Sequence, residues 1–217
     1  KAAGKQPAGM DAATAALFPS EFVESAIGDI PKGWSVAALA TVMELKRGYD
    51  LPQAKRREGK VPIISSSGHS GFHHEPMARS PGIVTGRYGT IGKVFLVRED
   101  FWRLNTTLYA RDLKGSDTFF AYHLLRTLDF QKFSDKAAVP GVNRNDLHEE
   151  PVVVPPKTIQ AKFGSIAASQ LDLARGNSSQ SASLARIRDT LLPRLLSGDL
   201  RIPDGGRTAA SAGEPPA

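Results

Sequence analysis

The chain has 217 residues, no cysteine, 41% hydrophobic and 23% charged side chains, and a formal net charge of +6. These values suit one folded domain plus an extension, and exclude wholesale disorder, a disulfide framework and a thiolate metal site. No run approaches 18 apolar residues and no secretory signal is legible, so no membrane contact and a cytoplasmic location are expected.

Residues 1–27 read as an Ala-rich linker or N-terminal extension, with a short helix near Ala12 to Phe18. Pro31, Gly33 and Trp34 mark a turn that opens a mixed domain over 28–154. Short runs at 61–65, 82–85, 93–97 and 107–110 are rich in Val, Ile, Phe and Tyr and bounded by Gly, Ser or Pro, which predicts strands. Over 119–133, Phe120, Leu124 and Leu128 recur at helical spacing beside Tyr122 and Leu125. Val152, Val153 and Val154 form a last short strand before Pro155 and Pro156.

Residues 155–200 change texture. Steps of four and three connect Ile159, Phe163, Ile166, Gln170, Leu173, Asn177, Gln180, Leu184, Ile187 and Leu191. This is the heptad seam of a long coiled-coil helix, polar only in its middle. Pro155 and Pro156 start it, and Pro193 to Gly198 are expected to end it. Its roughly 36 residues span about 54 Å, too long for a small domain to bury. Gly176 weakens the middle by about 1 kcal/mol relative to Ala. The Gly-, Ala-, Ser- and Pro-rich tail over 201–217 reads as disordered.

The excess of 28 Lys and Arg over 22 Asp and Glu favours a polyanion partner. Arg47, Lys55, Arg56 and Arg57 cluster near a Gly48 turn, with Arg87 and Lys93 in a second Gly-rich stretch. They are either a solvated face or phosphate contacts. The run from Gly86 to Lys93 fails as a P-loop, because five residues separate Gly86 from Gly92 and Val94 follows Lys93. It reads as a tight hairpin, as a loop bringing Arg87, Tyr88 and Lys93 to a phosphate, or as both.

The polar run from Ser65 to His74 reads as a solvated loop, or as one presenting Ser67, His69 and His73 to base edges, where Tyr88 of the neighbouring Gly-rich loop is also expected. A zinc site at His69, His73 and His74 is disfavoured, since Gly and Ser break the helix it would need and no carboxylate stands at ligand spacing. Asn143 and Arg144 carry the side-chain types that read adenine and guanine bidentately, although Asn is also common in turns. Asn105 and Thr106 read as a cap or turn. The sequence shows no amino-methyltransferase tetrapeptide, no nuclease carboxylate–lysine cluster, no nucleophile elbow and no complete nucleotide fingerprint. A recognition module without catalysis is the expectation.

Taken in order, Ile30-Pro31-Lys32-Gly33-Trp34, Pro62-Ile63-Ile64, Gly82-Ile83-Val84, Gly89-Thr90-Ile91-Gly92-Lys93-Val94, Asn105-Thr106-Thr107-Leu108-Tyr109, Val139-Pro140-Gly141-Val142-Asn143 and the end of the long helix at Leu191-Leu192-Pro193-Arg194-Leu195-Leu196-Ser197-Gly198-Asp199-Leu200 resemble one family. It is the DNA specificity subunit of type I restriction–modification enzymes, matched over about residues 28–203. The resemblance implies an α+β target recognition domain with a Gly-rich hairpin followed by a long coiled-coil α-helix. It implies a chain that reads half of a bipartite double-stranded DNA target and binds no cofactor itself. Partners implied are methyltransferase subunits using S-adenosylmethionine, a nuclease/translocase subunit using ATP and magnesium, and a second specificity half. That half is either the same chain type or the rest of a longer chain. A departure is Lys157-Thr158-Ile159-Gln160, where the family often has an acidic residue before Gln. The rival expectations are the specificity part of a type II restriction–methylation enzyme, a coiled-coil adaptor without DNA binding, and a metalloenzyme using the three histidines.

Overall fold

Asp11 starts the first helix of the computed structural model, α1 (Ala12–Ala16), by accepting the Thr14 N–H at 2.8 Å and the Thr14 hydroxyl at 2.7 Å. The structure describes residues 9–133 and 141–200. The expected tail, the first eight residues of the expected linker, and Val139 and Pro140 lie outside them. From the stretch read as a linker, β1 (Phe22–Val23) pairs antiparallel with β2 (Ile30–Pro31) at the start of the mixed domain.

Eight strands follow, β3 (Ser35–Ala38), β4 (Glu44–Arg47), β5 (Val61–Ser65), β6 (Gly68–His73), β7 (Gly82–Gly86), β8 (Val94–Val97), β9 (Trp102–Arg103) and β10 (Thr107–Asp112). Then come α2 (Thr118–Thr127), α3 (Arg144–Glu149), β11 (Pro151–Val154) and α4 (Lys157–Leu196). The order β4-β10-β7-β8 makes a four-stranded antiparallel sheet, β6-β5-β9 a three-stranded one, and β11 pairs with β3. Neighbouring side chains on a strand face opposite ways, so Ile63 and Ile64 of β5 feed two cores. Ile64 packs with Val84, Val97, Phe101 and Tyr109, which joins β5 to the four-stranded sheet. Ile63 packs with Leu51 and Leu104 against Trp102. The mixed α+β class and the Gly-rich hairpin are both present, the latter as β7 and β8 in register Gly82↔Val97 to Thr85↔Val94.

Two local expectations are corrected. The helix over 119–133 stops at Thr127, where Leu128 turns extended and the Asp129 carboxylate accepts the Gln131 N–H at 3.1 Å to start a separate 3-10 turn, Phe130–Phe133. Its buried face is Ala121, Tyr122 and Leu125, not Phe120, Leu124 and Leu128. The polar run from Ser65 to His74 is a hairpin rather than a loop, because β5 supplies an apolar neighbour on which the edge strand β6 can hydrogen-bond. The long helix ends as expected within the stretch from Pro193 to Gly198, at Leu196, with Pro193 in its last turn. So near the end, proline removes one backbone donor, and the Ser197 N–H still donates to the Pro193 carbonyl at 2.9 Å.

Residues up to Ser169 form one compact unit, and those from Gln170 onward a second. In the first unit the opening turns of α4 lock onto α2. Asp117 caps α2 by accepting the Phe119 and Phe120 N–H groups, both at 2.9 Å. Gly164 passes so close that an added Cβ would lie 2.2 Å from the Asp117 carboxylate. Gln160, 1% exposed, donates Nε2 to the Pro155 carbonyl at 2.9 Å and accepts the Asp117 N–H at 3.4 Å. Replacing Gln160 with Leu strands both backbone groups and is expected to cost about 1–3 kcal/mol, read as a lower urea midpoint at unchanged slope.

α4 has 40 residues, about 60 Å of helix. From Gln170 onward its seam is exposed among the described residues: Leu173 is 60% exposed, Leu184 66% and Ile187 53%, with Leu191 also exposed. In the first unit Ile159 is buried, whereas Phe163 and Ile166 are exposed. No helix among the described residues is long and apolar enough to cross a membrane.

Candidate nucleic-acid interface

The turns that end β5, β7 and β9 converge on Thr106. Its carbonyl accepts the N–H groups of Arg87 at 2.8 Å and Tyr88 at 3.2 Å. Its hydroxyl accepts the Ser66 N–H at 3.3 Å. Asn105 donates to the Asp50 carboxylate, and the Gly48 N–H reaches the Thr107 carbonyl at 3.0 Å. Asn105 and Thr106 are therefore a hub for the polar turns, a role that reading them as a cap or turn did not disclose.

Beside this hub lies a cleft of about 620 Å³ that brings together five of the nominated residues: Arg47, Arg87, Tyr88, Asn143 and Arg144. Arg47 ends β4, Arg87 and Tyr88 follow β7, and Asn143 and Arg144 open α3. The Arg87 guanidinium sits 4.2 Å from the centroid of the Tyr88 ring, which holds its plane while leaving its charge free. The Val142 N–H donates to the Arg87 carbonyl at 2.9 Å, closing the far wall. That wall needs glycine: a Cβ on Gly141 would lie 2.3 Å from the Tyr88 ring. Among the described residues three guanidinium groups line the cleft beside one carboxylate, Asp146, and Arg47 also lies 3.9 Å from Asp50, so the described lining is net cationic. Guanidinium groups and a half-exposed phenol ring offer bidentate donors and a stacking surface, the chemistry of phosphate and base contact.

Asn143 has a second duty. Its Oδ1 accepts the Asn145 N–H at 3.0 Å as the N-cap of α3, and its Nδ2 donates to Asp146 at 3.3 Å. Its side chain is committed to starting the helix that presents Arg144.

The other nominees lie outside the cleft. Lys93 is exposed at the end of the Gly-rich loop, and its carbonyl accepts the Thr85 hydroxyl at 3.0 Å and the Gly86 N–H at 3.2 Å. Ser67 and His69 are exposed on the β5–β6 hairpin, His69 lying edge-on to Phe72. Lys55 and Arg57 are exposed. Arg56 donates to the Ser70 carbonyl at 2.9 Å and so pins its loop to β6, a structural use of the charge. His73 is where the expectation of base contact fails. It is 4% exposed, packs edge-on against Trp102, and its Nδ1 accepts the Arg57 N–H at 3.1 Å. Burial against an aromatic neighbour takes this imidazole out of reach of a duplex. Among the described residues no group of three or more His, Asp or Glu side chains is placed to hold a metal ion.

Three imidazoles are held neutral. Burial pushes His73, His123 and His148 below the ordinary histidine range. His148 Nε2 accepts the Leu45 N–H at 2.8 Å, tying α3 to β4, and protonation would abolish that acceptor. The folded state therefore binds fewer protons than the unfolded chain, whose histidines titrate near 6.5. Their stability contribution is complete above that value and is lost as pH falls through the lowered folded values. The melting temperature is expected to fall from pH 7.5 to 5.5, and to fall less in His148→Asn; a flat profile would contradict the assignment.

Residues 31–172 match the model of a family described as the type I restriction modification DNA specificity domain. The chain belongs to that family. This specificity domain is 25% identical over 198 residues to the type I restriction enzyme MjaIX specificity subunit of Methanocaldococcus jannaschii, covering 80% of this chain and 46% of that protein. Among solved structures it is similar to the S subunit of a type I restriction–modification system from M. genitalium, with a TM-score of 0.62, 21% identity, and coverage of 77% of this chain and 46% of that one. It is also similar to the HsdS subunit from Thermoanaerobacter tengcongensis, with a TM-score of 0.53, 20% identity, and coverage of 87% and 50%. At these identities the structural likeness concerns the fold, strands followed by a long helix. The specificity domain spans about half the length of these relatives.

Proposed function

We propose that this chain is the part of a type I restriction–modification specificity subunit that reads one half of a bipartite duplex target. The observation that carries the reading is the cationic cleft beside the convergence of three turns on Thr106, in a chain of the DNA specificity family. Arg47, Arg87 and Arg144 contact phosphates or guanine edges, and Tyr88 contributes a stacking face beside a base. Lys55, Arg57 and Lys93 add phosphate contacts outside the cleft, and Ser67 and His69 reach the groove from the hairpin. The reaction chemistry belongs to partners: adenine methylation by methyltransferase subunits with S-adenosylmethionine, and cleavage by a nuclease/translocase subunit with ATP and magnesium. Such a complex works in the cytoplasm.

The exposed seam of α4 is the second part of the proposal. Its order of apolar and polar positions reads nearly the same from either end: Phe163, Ile166 and Gln170 against Ile187, Leu184 and Gln180. An antiparallel helix of the same pattern therefore matches it apolar to apolar and polar to polar at these positions, with Leu173 meeting Asn177 at the centre. That pairing holds two recognition halves apart and makes the target two separated blocks.

The test is duplex binding against salt. Specific and random duplexes should both bind, with log K falling linearly in log salt by about 0.9 per phosphate contact. A purified chain that pairs through α4 but shows no salt-dependent duplex binding is an assembly adaptor instead.

A further inference from the structure

Lys46 and Arg47 are adjacent on β4, so their side chains project to opposite faces, as do Tyr109 and Leu108 of the neighbouring β10. Arg47 and Leu108 line the recognition cleft. Lys46 and Tyr109 line a separate hollow of about 510 Å³, together with Tyr49, Arg79, Arg103 and Arg111. No carboxylate lines it among the described residues. Two of its four cations are already matched, Arg79 at 2.6 Å from Asp100 and Arg111 at 3.2 Å from Glu44. Lys46 and Arg103 form no ion pair among the described residues.

Arg103 is held in place by rings rather than by acids. Its guanidinium lies 3.7 Å from the Tyr109 ring centroid and 5.3 Å from that of Tyr49, so its plane is fixed while its charge is not neutralised. Hydrogen bonds from Tyr109 and Arg103 hold the Tyr49 hydroxyl below the ordinary tyrosine range, while burial pushes Tyr109 up. Tyr49 is 36% exposed at the hollow, and a phenol hydroxyl can donate as well as accept. An ammonium, an oriented guanidinium and a phenol O–H around one open hollow match the several oxygens and the charge of a phosphate better than a single carboxylate.

We propose that the hollow bounded by Lys46, Tyr49 and Arg103 binds a phosphate group and is distinct from the recognition cleft. The phosphate comes either from a duplex backbone or from a free phosphate compound, and two measurements separate them. In the first, isotope-labelled chain is titrated with inorganic phosphate while NMR follows the Arg103 Nε–H and the amides of residues 46–49. Saturable shifts are expected there, with affinity at least tenfold weaker in Lys46→Gln and Tyr49→Phe. Both positions reach solvent, so these variants keep the fold, and unchanged melting temperatures check that.

In the second, random-sequence duplex is titrated against salt. A slope lower by about one unit in Lys46→Gln assigns the site to the duplex backbone. An unchanged slope with intact phosphate saturation assigns it to a free phosphate compound. Shifts that never saturate, or that saturate equally in both variants, overturn the proposal. The phosphate titration does not depend on DNA recognition, so a chain that binds phosphate here yet ignores duplex DNA counts against the recognition reading alone.

Discussion

Deleting residues 174–180 from both helices of the pair is expected to shorten the gap between the two halves of the DNA target by about 3 base pairs. The deletion removes one heptad, so Leu173 and Leu184 stay in phase on one seam. It shortens the rod by about 10 Å, and base pairs stack at about 3.4 Å. The removed segment is exposed helix in the second unit, away from the Gln160 lock, so the recognition domain is undisturbed. Gly176 leaves with it, which favours the helix by about 1 kcal/mol. Duplexes with identical outer blocks and gaps varied one base pair at a time read the result. A variant that assembles yet prefers the original gap would show that α4 joins the halves without spacing them.

Replacing Arg47, Arg87 and Arg144 together with Ala is expected to lower duplex affinity on the order of 1,000-fold at low salt, with a salt slope smaller by up to about three units. The estimate takes about 1.4 kcal/mol, a factor of ten, for each charge-assisted contact. Stability should stay within about 0.5 kcal/mol, because the three side chains fringe an open cleft and carry no core packing. Tyr88→Ala removes a stacking face instead of a charge. It should weaken binding with the salt slope unchanged, which separates a base contact from a phosphate contact. Equal small losses in all these variants would move the interface to the exposed cations Lys55, Arg57 and Lys93.

What the sequence discloses follows from range. The β7–β8 hairpin and α4 announce themselves through local pattern, alternation bounded by glycines in one case and a heptad seam in the other. The end of α2 is less legible, because one side chain, Asp129, starts the separate turn that follows it. The cleft itself is a long-range object. Tyr88 meets Gly141 only because β7 and the segment before α3 run together, so Arg87 and Arg144 become neighbours without any shared motif. The same distance hides His73, whose residue type suggests a donor to DNA but whose place on β6 puts it beneath Trp102. Lys46, Tyr49 and Arg103 escape notice because lysine, tyrosine and arginine scattered over three elements form no pattern until the sheet gathers them. Asn143 shows both readings at once, a turn residue by its capping bond and a wall of the cleft by its position.

In the proposed function this chain chooses a DNA sequence through the cleft. Selection from a random duplex pool, by the chain in its paired state with a methyltransferase partner, tests it most directly. Enrichment of two short fixed blocks separated by a constant gap is the predicted result, with at least one base preference relaxed when Arg144 is replaced by Ala. Recovery of unenriched sequence, or of an identical motif from the Arg144→Ala and Tyr88→Ala variants, would contradict it.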